Sequence, residues 1–144
     1  MIKNIIFDFG DIFINLDKMG LHNSLQSLGL KEWNAELNTL NETYEKGECS
    51  ENDFLFEIQK HVPEKSISEI KESWCTILAD FPEYRLEFLE NLSQRNYRLF
   101  LLSNTDAIHI AHFRKTVGEE FYHRFYTCFE KVYFSFEMGL RKPQ

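Results

Sequence analysis

Residues 5–17, IIFDFGDIFINLD, set an acidic side chain inside an apolar run. Ile5, Ile6, Phe7 and Phe9 surround Asp8, and Gly10 ends the run two residues later. Branched and aromatic residues in a short stretch bounded by glycine predict a strand over residues 2–9, buried on both faces as in a parallel sheet. Burial gives such a strand no reason to carry a carboxylate, because an unpaired charge removed from water is costly. The reason has to come from elsewhere in the chain.

Two further runs have the same character. Tyr97 to Leu102 (YRLFLL) follows a helical stretch that starts at Pro82, a residue suited to a first turn, with Phe81, Tyr84, Phe88, Leu89 and Leu92 placed along one side. Lys131 to Ser135 (KVYFS) follows a helix expected from about Asp106 to Val117 and ends near Gly139. Strands alternating with helices predict an α/β fold, a Rossmann-like parallel sheet with right-handed crossovers.

Residues 16–81 show no strand pattern. Ile67, Ile70, Trp74, Ile77 and Leu78 keep helical spacing behind a capping box made by Ser66 and Glu69, and Phe54, Leu55, Ile58 and Val62 form a weaker stripe after Ser50. Turns fall at Lys46-Gly47-Glu48 and at His61-Val62-Pro63-Glu64. The expected organisation is an α/β core of residues 1–15 and 82–144 with an α-helical cap, 16–81, inserted into it.

Composition narrows the function classes. The 144 residues are 43% hydrophobic and include 14 Phe, enough for a packed core, while a formal charge of -7 leaves no broad basic face for nucleic acid or an anionic membrane. The first apolar run is too short for a bilayer span or a signal-peptide core. Three widely spaced cysteines, without a CxxC pair, fit neither a disulfide framework nor a zinc knuckle, so a reducing cytoplasm is expected. His109 and His112, with Asp106 just ahead, have metal-like spacing but no further ligand cluster, and read as exposed helix polarity. The oligomeric state is left open.

Ligands of open parallel sheets bind beyond the carboxyl ends of the strands. The polar residues that end the three strands should therefore converge: Asp8, then Ser103-Asn104-Thr105 at a helix start, then Arg141-Lys142. A carboxylate can attack phosphorus, a hydroxyl and backbone amides can hold phosphoryl oxygens, and a lysine can offset the negative charge. Mg²⁺, which takes oxygen ligands from one or two carboxylates and a substrate phosphate, belongs with that set.

These residues resemble the haloacid dehalogenase superfamily. IIFDFG is similar to its first motif, whose leading Asp is the nucleophile; LFLLSN is similar to the second, and GLRKP to the third. A helical insert between the first two motifs is similar to members with a small helical cap, and YEKGECSENDF, residues 44–54, to the cap sequence itself. The resemblance spans nearly the whole chain. It implies that Asp8 and Lys142 are catalytic, that Ser103, Asn104 and Lys142 bind phosphate, and that Asp8 and the Gly10 carbonyl bind Mg²⁺.

Two departures qualify what it implies. Most phosphatases of the superfamily have a second Asp, the general acid and base, where this chain has Gly10; general acid–base help is typically worth about 10² to 10⁴ in rate. A glycine there is similar to a subgroup of sugar-phosphate phosphatases, notably α-glucose-1-phosphate phosphatase, and Asp11 is the nearest stand-in acid. The fourth motif, a pair of acids completing the metal site, should lie beyond Lys142, so a truncated longer product is expected. Three functions follow: a Mg²⁺-dependent phosphatase of a small phosphorylated metabolite through an Asp8 phosphoenzyme, a 2-haloacid dehalogenase, or a catalytically impaired binding or regulatory domain. Asp17, Asp106 and Glu137 read as structural, and Trp33, Trp74 and Phe54 as core of the insert.

Overall fold

The structure, a computed structural model, describes residues 3–143. In chain order it contains β1 (Asn4–Phe7), α1 (Lys18–Leu28), α2 (Ala35–Glu45), α3 (Glu51–Gln59), α4 (Ile67–Cys75), α5 (Glu83–Ser93), β2 (Arg98–Ser103), α6 (Ala107–Val117), α7 (Glu119–Tyr126), β3 (Lys131–Phe134) and α8 (Ser135–Met138). The strands form one parallel sheet in the order β1-β2-β3, with Phe7 beside Leu101 and Ser103 beside Phe134. The α/β class expected from the alternation of strands and helices is the one adopted. Parallel register brings all three carboxyl ends to one rim.

Central β2 alternates strictly, burying Leu99, Leu101 and Ser103. The strand expected over residues 2–9 is shorter, and residue 2 lies outside the described residues. It is also not buried on both faces: among the described residues β1 pairs with β2 alone, and Ile6 is 67% exposed. Phe9, Phe13, Phe113, Phe125, Phe129 and Phe134 form the apolar layer against the sheet. Their rings meet edge-on, Phe9 with Phe113 at 4.9 Å and Phe13 with Phe125 at 5.2 Å, an arrangement worth about 0.5–1.5 kcal/mol per pair beyond area burial.

Pro82 is the N-cap of α5 rather than its first residue. The buried stripe of that helix is Leu86 and Leu89, whereas Tyr84 and Phe88, expected on the apolar side, face solvent. At 3.6 residues per turn, positions 84 and 88 each lie about 200° around the helix from position 86. Asp106 caps α6, which ends at Val117 as expected. Helix α7 has no counterpart in the sequence reading.

Between β1 and α5 the chain folds into α1–α4. Asp17, Asn34, Ser50 and Ser66 each cap one helix with a side-chain oxygen, and Ser66 with Glu69 makes the expected capping box. These helices bury a second apolar cluster around Leu37, Phe54, Leu55, Ile58 and Ile70, which Ile108 of α6 joins. Entry and exit run antiparallel: the Asn15 N–H donates to the Asp80 carbonyl at 2.8 Å, and the Asp17 N–H to the Ile77 carbonyl at 2.7 Å. Among the described residues no helix is long and apolar enough to cross a membrane.

Candidate active site

Asp8 follows β1 directly, and its Oδ1 accepts the Phe9 N–H at 2.7 Å. Lys142 Nζ stands 3.1 Å from the other carboxylate oxygen and donates to the Leu102 carbonyl at 3.0 Å. The Asn104 amide holds the lysine's main chain on both sides: Oδ1 accepts the Lys142 N–H at 2.8 Å, and Nδ2 donates to the Lys142 carbonyl at 3.1 Å. That side chain is therefore committed to placing Lys142. Ser103 closes β2 with its hydroxyl unbonded among the described residues. Asp8, Ser103 and Lys142 thus share one rim, and the first and third remain partly exposed, which makes the pair weak as a stabilising contact.

Buried Ser135 at the end of β3 braces this rim, accepting the Thr105 N–H at 2.9 Å and donating to the Thr105 carbonyl at 3.0 Å. The start of α6 is occupied by the chain's own Asp106, whose Oδ1 accepts the His109 N–H at 2.8 Å. Asp106 and His109 do not form the exposed polarity expected of them. Asp106 is fully buried; its Oδ2 accepts Trp74 Nε1–H at 3.1 Å and lies 3.2 Å from His109 Nδ1, while His109 Nε2 sits 2.9 Å from the Trp74 carbonyl. Loop closure of α6 onto α4 buries what helical spacing alone left outside. Burial, reinforced by neighbouring His109, lowers the pKa of His112. Among the described residues no three His, Cys, Asp or Glu side chains converge as a metal site.

Asp11 is turned to another task. Its φ of 61° puts it in the left-handed region, which Asp tolerates better than most residues. Its Oδ1 accepts the Leu16 N–H at 2.9 Å and its own N–H donates to the Ile14 carbonyl at 2.7 Å, so the carboxylate closes the turn after β1. The Gly10 carbonyl accepts no hydrogen bond among the described residues. Leu16 fills the space where a side chain on residue 10 would begin: a Cβ there would lie 2.7 Å from Leu16 Cδ1.

A cavity of about 340 Å³ opens beside this rim, at the low end for small-molecule sites. Gly10, Ser103 and Asn104 of the rim line it together with Trp33, Asn41, Glu45 and Trp74. Asp8 and Lys142 are not wall residues themselves; the cavity reaches them through their neighbours. Trp74 stacks between Trp33 at 5.5 Å and His109 at 5.0 Å, so the two tryptophans face the cavity as well as packing the insert. Glu45 Oε1 accepts Arg141 Nε–H at 2.8 Å, with both side chains largely buried; burial raises the carboxyl pKa although Arg141 opposes the shift. Neither Glu45 nor Asn41 stood out in the sequence. The available signal was their four-residue spacing on α2, which places them on one face.

No protein-family model matches the chain. The D-ribitol-5-phosphate phosphatase of Bacteroides thetaiotaomicron is 25% identical over 149 residues, covering 99% of this chain and 72% of that protein. A crystal structure of a HAD family enzyme from the same organism, a magnesium complex, superposes with a TM-score of 0.84 at 31% identity over 99% of this chain and 72% of that one. The wild-type form of that enzyme with magnesium and inorganic phosphate gives a TM-score of 0.81 at 29% identity, covering 100% of this chain and 74% of the other. A HAD-like family hydrolase from Porphyromonas gingivalis gives 0.79 at 26% identity, covering 100% and 71%.

Proposed function

The chain belongs to the HAD family of hydrolases, and from that premise we propose that it is a magnesium-dependent phosphatase of a small polyol or sugar phosphate, with Asp8 as nucleophile. The observation that carries this reading is the 3.1 Å approach of Lys142 to Asp8 on the rim that Ser103 shares, beside a metabolite-sized cavity. Two comparisons support it: a relative named for D-ribitol 5-phosphate, and a similar structure holding magnesium with inorganic phosphate.

In this reading an Asp8 oxygen attacks phosphorus. The new O–P bond forms as the bond to the ester oxygen breaks, leaving an aspartyl-phosphate and an alcohol that has taken up a proton from solvent water. Water then attacks phosphorus as the bond to the Asp8 oxygen breaks, returning the carboxylate and leaving inorganic phosphate, with the water's proton passing to phosphate or solvent. Lys142 offsets charge on the phosphoryl group, and the Ser103 hydroxyl donates to one of its oxygens. The main-chain bond from Phe9 to Asp8 Oδ1 fixes the carboxylate's orientation throughout.

The residues present fit magnesium by their donor chemistry. Asp8 supplies one carboxylate and Gly10 a carbonyl with no protein partner among the described residues, an oxygen-only set of the kind that Mg²⁺ completes with water and substrate phosphate. Bound there, the ion would supply further charge stabilisation to the transferring group.

The test is phosphate release from a panel of polyol, sugar and aryl phosphates with Mg²⁺. Wild type is expected to turn over at least one of the esters; Asp8→Asn is expected to release none while melting at the wild-type temperature. A wild type inactive on the whole panel, or an Asp8→Asn protein that still turns over, ends the proposal.

A further inference from the structure

Asn41 and Glu45 lie one helical turn apart on α2, and both reach the wall of the cavity that opens beside Ser103. Oδ1 of Asn41 is buried without a hydrogen-bond partner among the described residues. An acceptor left in that condition is unfavourable, and a ligand donor that reaches it recovers the loss. Glu45 receives one donor, Arg141, and no other among the described residues. The cavity is also lined by the stacked Trp33 and Trp74 rings and by His109, both of whose nitrogens are already engaged. Lys18 and His22 of α1 supply the cavity's remaining titratable groups. The α2 edge therefore offers acceptors next to flat apolar surface, which matches a leaving group with hydroxyl donors and a CH-rich face.

Glu45 has a second connection. Arg141, which it binds, immediately precedes Lys142, and Lys142 is pinned on its other side by Asn104. One carboxylate thus lines the cavity and also touches the segment bearing the lysine.

We infer that Asn41 and Glu45 are specificity-determining residues that read hydroxyl groups on the leaving group, and that Glu45 passes this contact through Arg141 to the Lys142 segment. The inference rests on the phosphatase reading above and assigns its leaving-group site.

The experiment compares kcat/KM for a pentitol phosphate and for para-nitrophenyl phosphate, whose leaving group has no hydroxyls to read. Asn41→Ala is expected to lower kcat/KM for the pentitol ester about tenfold through KM, the size of one lost hydrogen bond, and to leave the aryl ester within about twofold. Asn41→Leu, closer in volume, repeats the comparison should alanine destabilise the fold. Glu45→Gln is expected to lower kcat on both esters, with an added KM increase on the pentitol ester alone. Equal losses on both esters for the Asn41 variants, or none on either, overturn the inference.

Calorimetry separates this outcome from the fate of the phosphatase reading. In an Asp8→Asn background, Asn41→Ala is expected to weaken pentitol phosphate binding about tenfold and to leave inorganic phosphate binding unchanged. Unchanged or absent pentitol phosphate binding sinks the hydroxyl-reading role even if wild type is an active phosphatase. Binding that depends on Asn41 in a protein releasing no phosphate leaves the recognition role standing and removes the reaction.

Discussion

Position 10 shows how a single missing side chain constrains the chemistry. Asp8 is oriented and paired with Lys142, yet in the proposed reaction Gly10 would bring no acid to the departing oxygen, and the Asp11 carboxylate is held on the Leu16 N–H. Departure should then depend steeply on leaving-group acidity, so wild-type kcat is expected to be much higher for aryl than for alkyl phosphates. Introducing the acid requires room. A Cβ on residue 10 meets the flexible end of Leu16, so Gly10→Asp is expected to fold with that side chain displaced, and Gly10→Asp combined with Leu16→Ala to accept it without strain. The double variant is expected to raise kcat on an alkyl phosphate about a hundredfold, the low end of the usual range for general acid catalysis, with little change on an aryl ester. Equal gains on both, or a loss on both, would show that the acid at this position is not what limits the alkyl reaction. The absence of the acid was legible only through the resemblance to the superfamily's first motif, which implies a second Asp where this chain has Gly10. The plug was not, because Leu16 comes back to Gly10 only through a turn that Asp11 closes at positive φ.

Among the elements, the end of α2 governs how the lysine segment sits. Gly47 has φ +70° and a Cβ on it would overlap the Phe136 carbonyl oxygen, so the turn after α2 rests directly on the backbone of α8. Gly47→Ala is expected to cost about 2 kcal/mol or more, left-handed strain plus backbone displacement, and to lower both Tm and kcat. Glu45 adds a pH dependence with a definite sign. Its folded-state pKa is raised above the ordinary 4.5, chiefly by burial, so the folded protein holds this proton more tightly than the unfolded chain. Its contribution to stability is therefore largest below the ordinary value and falls as pH rises through the raised one. Melts of wild type and Glu45→Gln across that window should show wild type losing stability relative to the variant as pH increases; the opposite trend would contradict the burial effect. The elements themselves were legible where chemistry marks their ends: Ser66 and Glu69 start α4, Pro82 precedes α5, and Asp106 caps α6. Helix α7 was missed because it is only eight residues long and follows directly on Gly118, whose φ of 87° breaks it from α6. The exposed face of β1 was missed because an apolar run does not say whether its strand lies at the centre or the edge of a sheet.

The whole molecule joins two apolar clusters through a few polar links, and buried Asp106 is the one with most partners. It caps α6, accepts from Trp74 of α4 and sits against His109, so it binds the end of β2 to the helical insert. No pattern in the sequence announced this, since Asp before a helix reads as a cap whether or not a tryptophan 32 positions earlier reaches it. Asp106→Ala removes the cap, worth about 0.5–2 kcal/mol, and leaves Trp74 Nε1–H buried without its acceptor, about 1–3 kcal/mol more. A loss of about 3 kcal/mol is a large part of the 5–15 kcal/mol by which domains are stable, and should lower Tm by roughly 10 °C. Asp106→Asn keeps an oxygen for the cap and should lose about half as much. The chain's two tryptophans, Trp33 and Trp74, both lie in the insert, so their fluorescence reports that cluster while far-ultraviolet circular dichroism reports every helix and strand. Wild type should melt with the two signals coincident, as one cooperative unit. In Asp106→Ala the fluorescence transition should come first and separate from the dichroism transition, because α4 of the insert has lost the Trp74–Asp106 tie to the start of α6. Coincident transitions at an unchanged Tm would mean that the apolar contact of Ile108 and the antiparallel segments around Asn15 and Asp80 hold the two clusters together without it.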